Sequence, residues 1–305
     1  MVAGRSRVIR VTDPSATDGA GRDNLNLDDS AVKRMVDKAV QAFVRAPSVI
    51  DAWKEIIPDA SVRVAIKINC QITGVYTKAR VVTPVIDGLM ERGVASSSIL
   101  VYDLGDAAFT LAGFKKNLGA GVKIGTVAEF GGFSWTDWYG NPLFGPFSRF
   151  CRVLAWKGEY GCDYLINVPV IKALDGYSGV SMSMKNHFGS ISGPASLHED
   201  IHDNIAALNA HDLIRKKTRL ILVDGIFAEY KWVNGRDQRY VSVSNQILAG
   251  IDPVAIDTVG WRTIEALRKD NGLDPVKPQP EYLWKADQRY GLGNSDLGHI
   301  DIVDL

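Results

Sequence analysis

Short apolar runs that stop at a polar residue, separated by stretches of helical periodicity, restrict the fold more than any other feature of the chain. Residues 8–11, 61–70, 99–102, 162–172, 219–225, 246–249 and 300–303 are strand-like. Residues 30–44 space Val32, Met35, Val36, Ala39, Val40 and Phe43 along one helical face. Thr83-Pro84 opens a second helix through Arg92, with Pro at the first helical position. Asp252-Pro253 caps a third over residues 254–269. Strand–helix–strand units of this length pair in parallel through right-handed crossovers. The expected fold is therefore α/β, a mostly parallel sheet flanked by helices. It forms one unit over residues 1–305, with candidate lobes 1–128 and 151–305 around a cleft. In such sheets ligands lie at the carboxyl ends of strands. Lys67, Asn69, Asp103, Asp106 and Asp224 stand at or just past such ends.

Residues 129–150 interrupt the alternation with Gly and the aromatics Phe133, Trp135, Trp138, Tyr139, Phe144 and Phe147. The favoured reading is a hairpin or insertion packed on itself. The alternative is an aromatic wall or lid over a pocket.

The charge balance narrows the partners. Lys+Arg and Asp+Glu both number 35, so the basic excess of a nucleic-acid binder is missing. The short run Arg215-Lys216-Lys217 falls where a helix should end, and cations are favoured there by the helix dipole. No apolar run reaches the roughly 18 residues of a membrane span, and the first residues carry no signal-peptide core. A cytoplasmic protein with a small-molecule substrate, and without nucleic-acid or membrane partners, is expected unless an export leader was removed. Cys70, Cys151 and Cys162 contain no C-x-x-C spacing, so no iron–sulfur cluster is expected.

Chemistry concentrates in one stretch. Four of the five histidines, His187, His198, His202 and His211, lie close together, with Lys185-Asn186 in front and the turn-rich 188–197 between. His198-Glu199-Asp200-Ile201-His202 matches H-E-x-x-H, the pattern that gives zinc two imidazoles and a general base. Asp200 between the histidines and the position just after Gly193-Pro194 argue against a peptidase. At 100° per residue, Leu197, Ile201, Ile205 and Leu208 form an apolar face, with His198, His202 and Asn209 on its border. Such a border suits a divalent-metal site or a His acid–base pair; it equally suits solvated histidines at the core edge. Lys185 could hold an anion or, if desolvated, act as a base. Gly189 and Gly193 permit close backbone approach. Neither a P-loop nor a G-x-S-x-G elbow is present.

The order of these pieces carries a resemblance. Val64-Ala65-Ile66-Lys67-Ile68-Asn69, Val168-Pro169-Val170-Ile171-Lys172, Lys185-Asn186-x-x-Gly189, His198, Leu222-Val223-Asp224-Gly225 and Asp252-Pro253-Val254-Ala255-x-Asp257 together resemble the family named domain of unknown function 362, over about residues 6–305. The resemblance implies a fold rather than a reaction. Some relatives carry ferredoxin-like cysteine clusters or export leaders, neither of which is found here. It points to Lys67, Asn69, Lys172, Lys185, Asn186, His198 and Asp224. A looser likeness in motif order to nickel-pincer lactate racemases implies a Lys anchoring a cofactor and a His near a metal.

The expectation is thus an enzyme acting on a small polar or anionic metabolite by metal-assisted or His/Lys acid–base chemistry, of isomerase, lyase or hydrolase type. Lys185, His198, His202 and Lys67 are the candidate catalytic groups. Asn69, Asn186 and Lys172 would bind a cofactor, and His198, His202 and Asp224 a divalent metal ion. A non-catalytic metal- or anion-binding protein is the alternative; a zinc peptidase is the weaker one.

Overall fold

Most of the strand-like runs pair in parallel, as the alternation requires. A computed structural model of the chain describes residues 4–18, 26–72, 74–140, 148–155, 158–233 and 237–305. Its strands are β1 (Ser6–Thr12), β2 (Val64–Lys67), β3 (Ile99–Asp103), β4 (Lys123–Thr126), β5 (Phe133–Tyr139), β6 (Ser148–Cys151), β7 (Tyr164–Asn167), β8 (Val170–Leu174), β9 (Gly179–Val180), β10 (Thr218–Glu229), β11 (Val241–Gly250) and β12 (Ile300–Asp304). Among the described residues ten of these form one sheet in the order β12-β1-β11-β10-β7-β2-β3-β4, with β8 attached to β10 and β9 to β8. The stretch β10-β7-β2-β3-β4 is parallel throughout, and β1 pairs parallel with β12. β11 runs antiparallel to β1 and β10, and β9 to β8. The sheet is therefore mostly parallel and draws strands from both halves of the sequence.

Helices cover both faces, which is why the strands read as continuous apolar runs. They are α1 (Asp29–Val44), α2 (Val49–Ile56), α3 (Ala79–Arg92), α4 (Arg152–Ala155), α5 (Ile201–Ala210), α6 (Asp212–Arg215), α7 (Pro253–Asp270) and α8 (Tyr282–Tyr290). Val32, Trp53 and Val82 of the first three pack against Val64, Ile66 and Val101. Ile205, Val259 and Tyr282 of α5, α7 and α8 join Ala65, Leu100 and Tyr102 on the other face. Period-two alternation sends neighbouring residues of β2 and β3 to opposite cores. Asp252 caps α7 as expected, accepting from Val254 N at 2.8 Å and Ala255 N at 2.9 Å. Among the described residues no helix is long and apolar enough to cross a membrane.

Several elements differ from the sequence expectation, among them a strand expected over 246–249 that runs from Val241 to Gly250. The run 162–172 is two strands, not one. Pro169 has no N–H to continue a ladder, so β7 ends at Asn167, and β8 restarts beside β10 in the register Asp224↔Val170 and Glu229↔Lys172. The helix expected to open at Thr83-Pro84 begins at Ala79, leaving Pro84 inside it. The strand expected over 219–225 continues through a bulge at Gly225 to Glu229. In the aromatic stretch, β5 and β6 pair antiparallel. Tyr139 is buried there, and its hydroxyl donates to Asn204 Oδ1 at 3.0 Å on α5. Phe144 and Phe147 lie outside the described residues.

Candidate functional site

A cleft of about 190 Å³ opens beyond the carboxyl ends of β2 and β3. Its floor comes from β2 and β3, one wall from β8, and the other from two successive 3-10 segments, Lys185–Ser190 and Pro194–His198. Lys67, Asn69, Lys172, Lys185, Asn186 and His198 all line it. Residues more than a hundred positions apart thus meet at the place where parallel sheets present their ligand sites.

The floor is a closed polar network. Lys67 Nζ donates to Ile68 O at 2.6 Å, Asp103 Oδ1 at 2.7 Å and Asn186 Oδ1 at 3.1 Å, which uses all three ammonium protons. Asp103 also accepts from Leu104 N at 2.7 Å and Cys70 N at 2.5 Å. Asn69 Nδ2 donates to Asn186 Oδ1 at 3.0 Å, and Asn186 Nδ2 to Asn167 Oδ1 at 2.7 Å. A fully satisfied network of this kind fixes its members rigidly. Lys67, expected as a catalytic group, has its charge balanced by Asp103 and all three donors occupied. Gly189 is what lets the wall approach this floor. A Cβ there would stand 2.7 Å from Asp103 Oδ1 and 2.8 Å from Lys67 Nζ.

Two other lysines face the cleft without that compensation. Lys172 Nζ donates to Asn69 Oδ1 at 2.8 Å, leaving two donors. Burial pushes its pKa down, against the pull of Glu229 and Asp103. Lys185 Nζ lies 4.8 Å from the centre of the Phe188 ring and has no hydrogen-bond acceptor among the described residues. Burial, aided by the nearby Lys172 charge, lowers its pKa from 10.5 to about 7. A buried ammonium without an acid loses its proton more easily, because the charged form alone suffers from desolvation.

His198 packs edge-on against the same Phe188 ring, with centroids 5.5 Å apart. Its Nδ1 faces Pro194 O at 3.1 Å and Ala195 O at 3.2 Å. Carbonyls only accept, so the proton sits on Nδ1 and Nε2 keeps its lone pair. Partial burial, with Lys185 nearby, holds the ring below its ordinary pKa.

The remaining expected residues lie elsewhere. H-E-x-x-H is not one helix: His198 closes a 3-10 segment and α5 starts at Ile201. His202 stacks on Tyr282, centroids 6.3 Å apart, with its Nδ1 buried and unpartnered. Asp224 uses both oxygens on Lys78 Nζ, at 3.2 and 3.1 Å, and accepts from Lys78 N at 2.9 Å. His198, His202 and Asp224 therefore do not converge as a metal shell. Among the described residues no group of three or more His, Cys, Asp or Glu side chains could hold a metal ion. Asp106 makes an exposed ion pair with Lys116 at 2.7 Å. His211 caps α6, accepting from Leu213 N at 3.2 Å. His187 is buried behind the cleft wall; burial and Lys67 depress its pKa to about 3, so it is neutral.

Three residues that matter were not singled out for these roles by the sequence. Lys78 buries its ammonium against Asp224 at the start of α3. Glu229 lies behind Lys172; both carboxyl oxygens are buried without a partner, and burial raises its pKa to about 7. Its one sequence signal is an acid inside the apolar run Ile226-Phe227-Ala228-Glu229-Tyr230. Asp257 anchors the backbone just before Lys185: it accepts from Ser183 N at 2.8 Å, Met184 N at 3.2 Å and Tyr282 Oη at 2.9 Å.

A family model described as "Domain of unknown function (DUF362)" matches residues 64–262, the stretch that supplies every side chain of the cleft. No curated protein matches the chain.

Proposed function

The chain belongs to the DUF362 family, whose description states no reaction, and we propose from the cleft itself that the protein is an enzyme acting on a small anionic metabolite. Lys172 and Lys185 hold the anion, while Lys185 and His198 exchange protons with it. One observation carries this reading: Lys185 places a half-buried amine in the cleft with no acceptor among the described residues, alongside the buried Lys172. Of the two acids near these lysines, Asp103 is already engaged by Lys67, and Glu229 lies behind Lys172 with its pKa raised by burial to about 7. A bound carboxylate or phosphate supplies the missing counter-charge through charge-assisted hydrogen bonds to the two ammonium groups.

Proton exchange follows from one amine poised near neutrality and an imidazole whose burial favours its neutral form. An amine with a pKa of about 7 is present in both forms at physiological pH, the condition under which general acid–base catalysis is efficient. His198 offers Nε2 as an acceptor in its neutral form. A cleft of about 190 Å³ is smaller than the roughly 300–1,000 Å³ of drug-sized sites. The substrate is therefore a compact acid.

Isothermal titration with malonate and with inorganic phosphate tests this. At least one binds the wild type. Lys185→Met and Lys172→Met each weaken that binding by about tenfold or more, the value of one charge-assisted hydrogen bond. Affinity is higher at pH 6.5 than at pH 9, where the amine is neutral. Absence of binding by either anion, or equal binding by both variants, sinks the proposal.

A further inference from the structure

We propose that Lys185 is a covalent nucleophile which forms an imine with a small 2-oxo acid bound in the cleft. This rests on the reading of the cleft as an anion site and names the substrate class for it. An amine that forms imines needs four things: no acid to hold its proton, an apolar flank, an anchor that orients the carbonyl, and a group that moves protons. All four are gathered around Lys185.

Its Nζ has no acceptor among the described residues and lies against the Phe188 ring, 4.8 Å from the centroid. Leu174, Ile72, Leu104 and Trp232 supply the apolar lining of the same cleft. Lys172, fixed by its 2.8 Å bond to Asn69, keeps two donors for the carboxylate of the acid. In a 2-oxo acid the carbonyl carbon is bonded directly to that carboxylate, so anchoring one places the other beside Lys185. His198 flanks the same phenyl ring as Lys185, with Nδ1 held by two carbonyls and Nε2 free. Desolvation leaves a substantial share of Lys185 unprotonated at neutral pH.

The step balances without any oxidant or reductant. The Lys185 lone pair attacks the carbonyl carbon, and the carbon–oxygen π pair moves to oxygen. His198 Nε2 accepts the proton shed by the nitrogen and passes it to that oxygen, giving the neutral carbinolamine; a second proton, taken from solvent and delivered by His198, lets the hydroxyl leave as water. The carbinolamine loses water, and the carbon–nitrogen double bond forms. The resulting iminium withdraws electrons from the adjacent carbon, so that a proton can leave it to a base in the cleft.

The test is reductive trapping. Wild-type protein is incubated with pyruvate and sodium cyanoborohydride, and the adduct is located by intact mass and peptide mapping. The expected result is one equivalent of reduced pyruvate imine on Lys185. Malonate should slow the trapping by occupying the same anchor. His198→Ala should slow it by roughly 10²-fold, the usual worth of a positioned acid–base group. Label scattered over surface lysines, or equal labelling of Lys185→Met, overturns the proposal. If malonate binds by calorimetry and pyruvate is not trapped, the imine is refuted and the anion site stands. If neither occurs, both fall.

Discussion

Replacing Lys185 by Met should make the protein more stable, by an amount that disappears at high pH. The side chain is half-buried in the cleft, and desolvation lowers its pKa from 10.5 to about 7. Between those values the unfolded chain holds a proton that the native chain does not. Wild-type stability therefore rises with pH across that window. The penalty is fully present below about pH 7 and gone above about 10.5. At about 1.36 kcal/mol per pH unit the ceiling is ~5 kcal/mol. Met is unbranched, apolar and of similar length, and it removes the titration without leaving a void. Lys172 and His198, the titratable groups beside Lys185, remain in both proteins, so the difference isolates one amine. The expected gain is ~3–5 kcal/mol at pH 6–7. With ~2.1 cal/mol/K per residue over 305 residues, this is roughly 5–8 °C in Tm. Urea denaturation of both proteins from pH 6 to 10.5, in a buffer free of polyanions, reads it directly. A variant less stable than wild type at pH 6–7, or a gap that does not change with pH, would refute the argument that Lys185 is a desolvated, unpaired amine.

Asp224→Ala leaves Lys78 buried without its partner and should cost ~3–5 kcal/mol in urea denaturation; a loss under about 1 kcal/mol contradicts the pairing. Gly189→Ala drives a methyl into the Lys67–Asp103 pair. It should destabilise by ~1–3 kcal/mol and weaken malonate binding, and wild-type behaviour in both counts against the cleft floor described here. Dialysis against EDTA should leave malonate affinity unchanged, because the cations in the cleft are lysines. Affinity lost on chelation and restored by zinc or nickel would replace this account with a metal-based one.

Most of the cleft was legible because its residues end apolar runs or sit in a small-residue turn. Lys67 and Lys172 follow strand patterns, and Lys185, Asn186 and His198 flank Gly189 and Gly193. The chain's parallel strands were equally readable, since burial on both faces leaves continuous apolar runs. What failed was local arithmetic across a change of geometry. The 100° rule placed His198 and His202 on one border, but a 3-10 segment ends at His198 and α5 begins only at Ile201. Pro84 looked like a helix start because Pro suits that position. The true start, five residues earlier, coincides with Lys78, whose backbone and side chain both reach Asp224, and that contact spans 146 positions. Glu229 was hidden for a related reason: its neighbour Lys172 is set by parallel pairing of β8 with β10 after the break at Pro169. Pairings of this separation leave no periodic trace in the sequence.

The central claim concerns the charge of one amine and the anion that answers it. Lysine side-chain nitrogens can be followed by NMR in ¹⁵N-lysine-labelled protein, with Lys185 assigned by comparison with Lys185→Met. The account predicts that Lys185 titrates near pH 7 in the free protein. Saturation with malonate should raise that midpoint, since a bound anion favours the ammonium form. A midpoint above 10 that malonate does not move would contradict it.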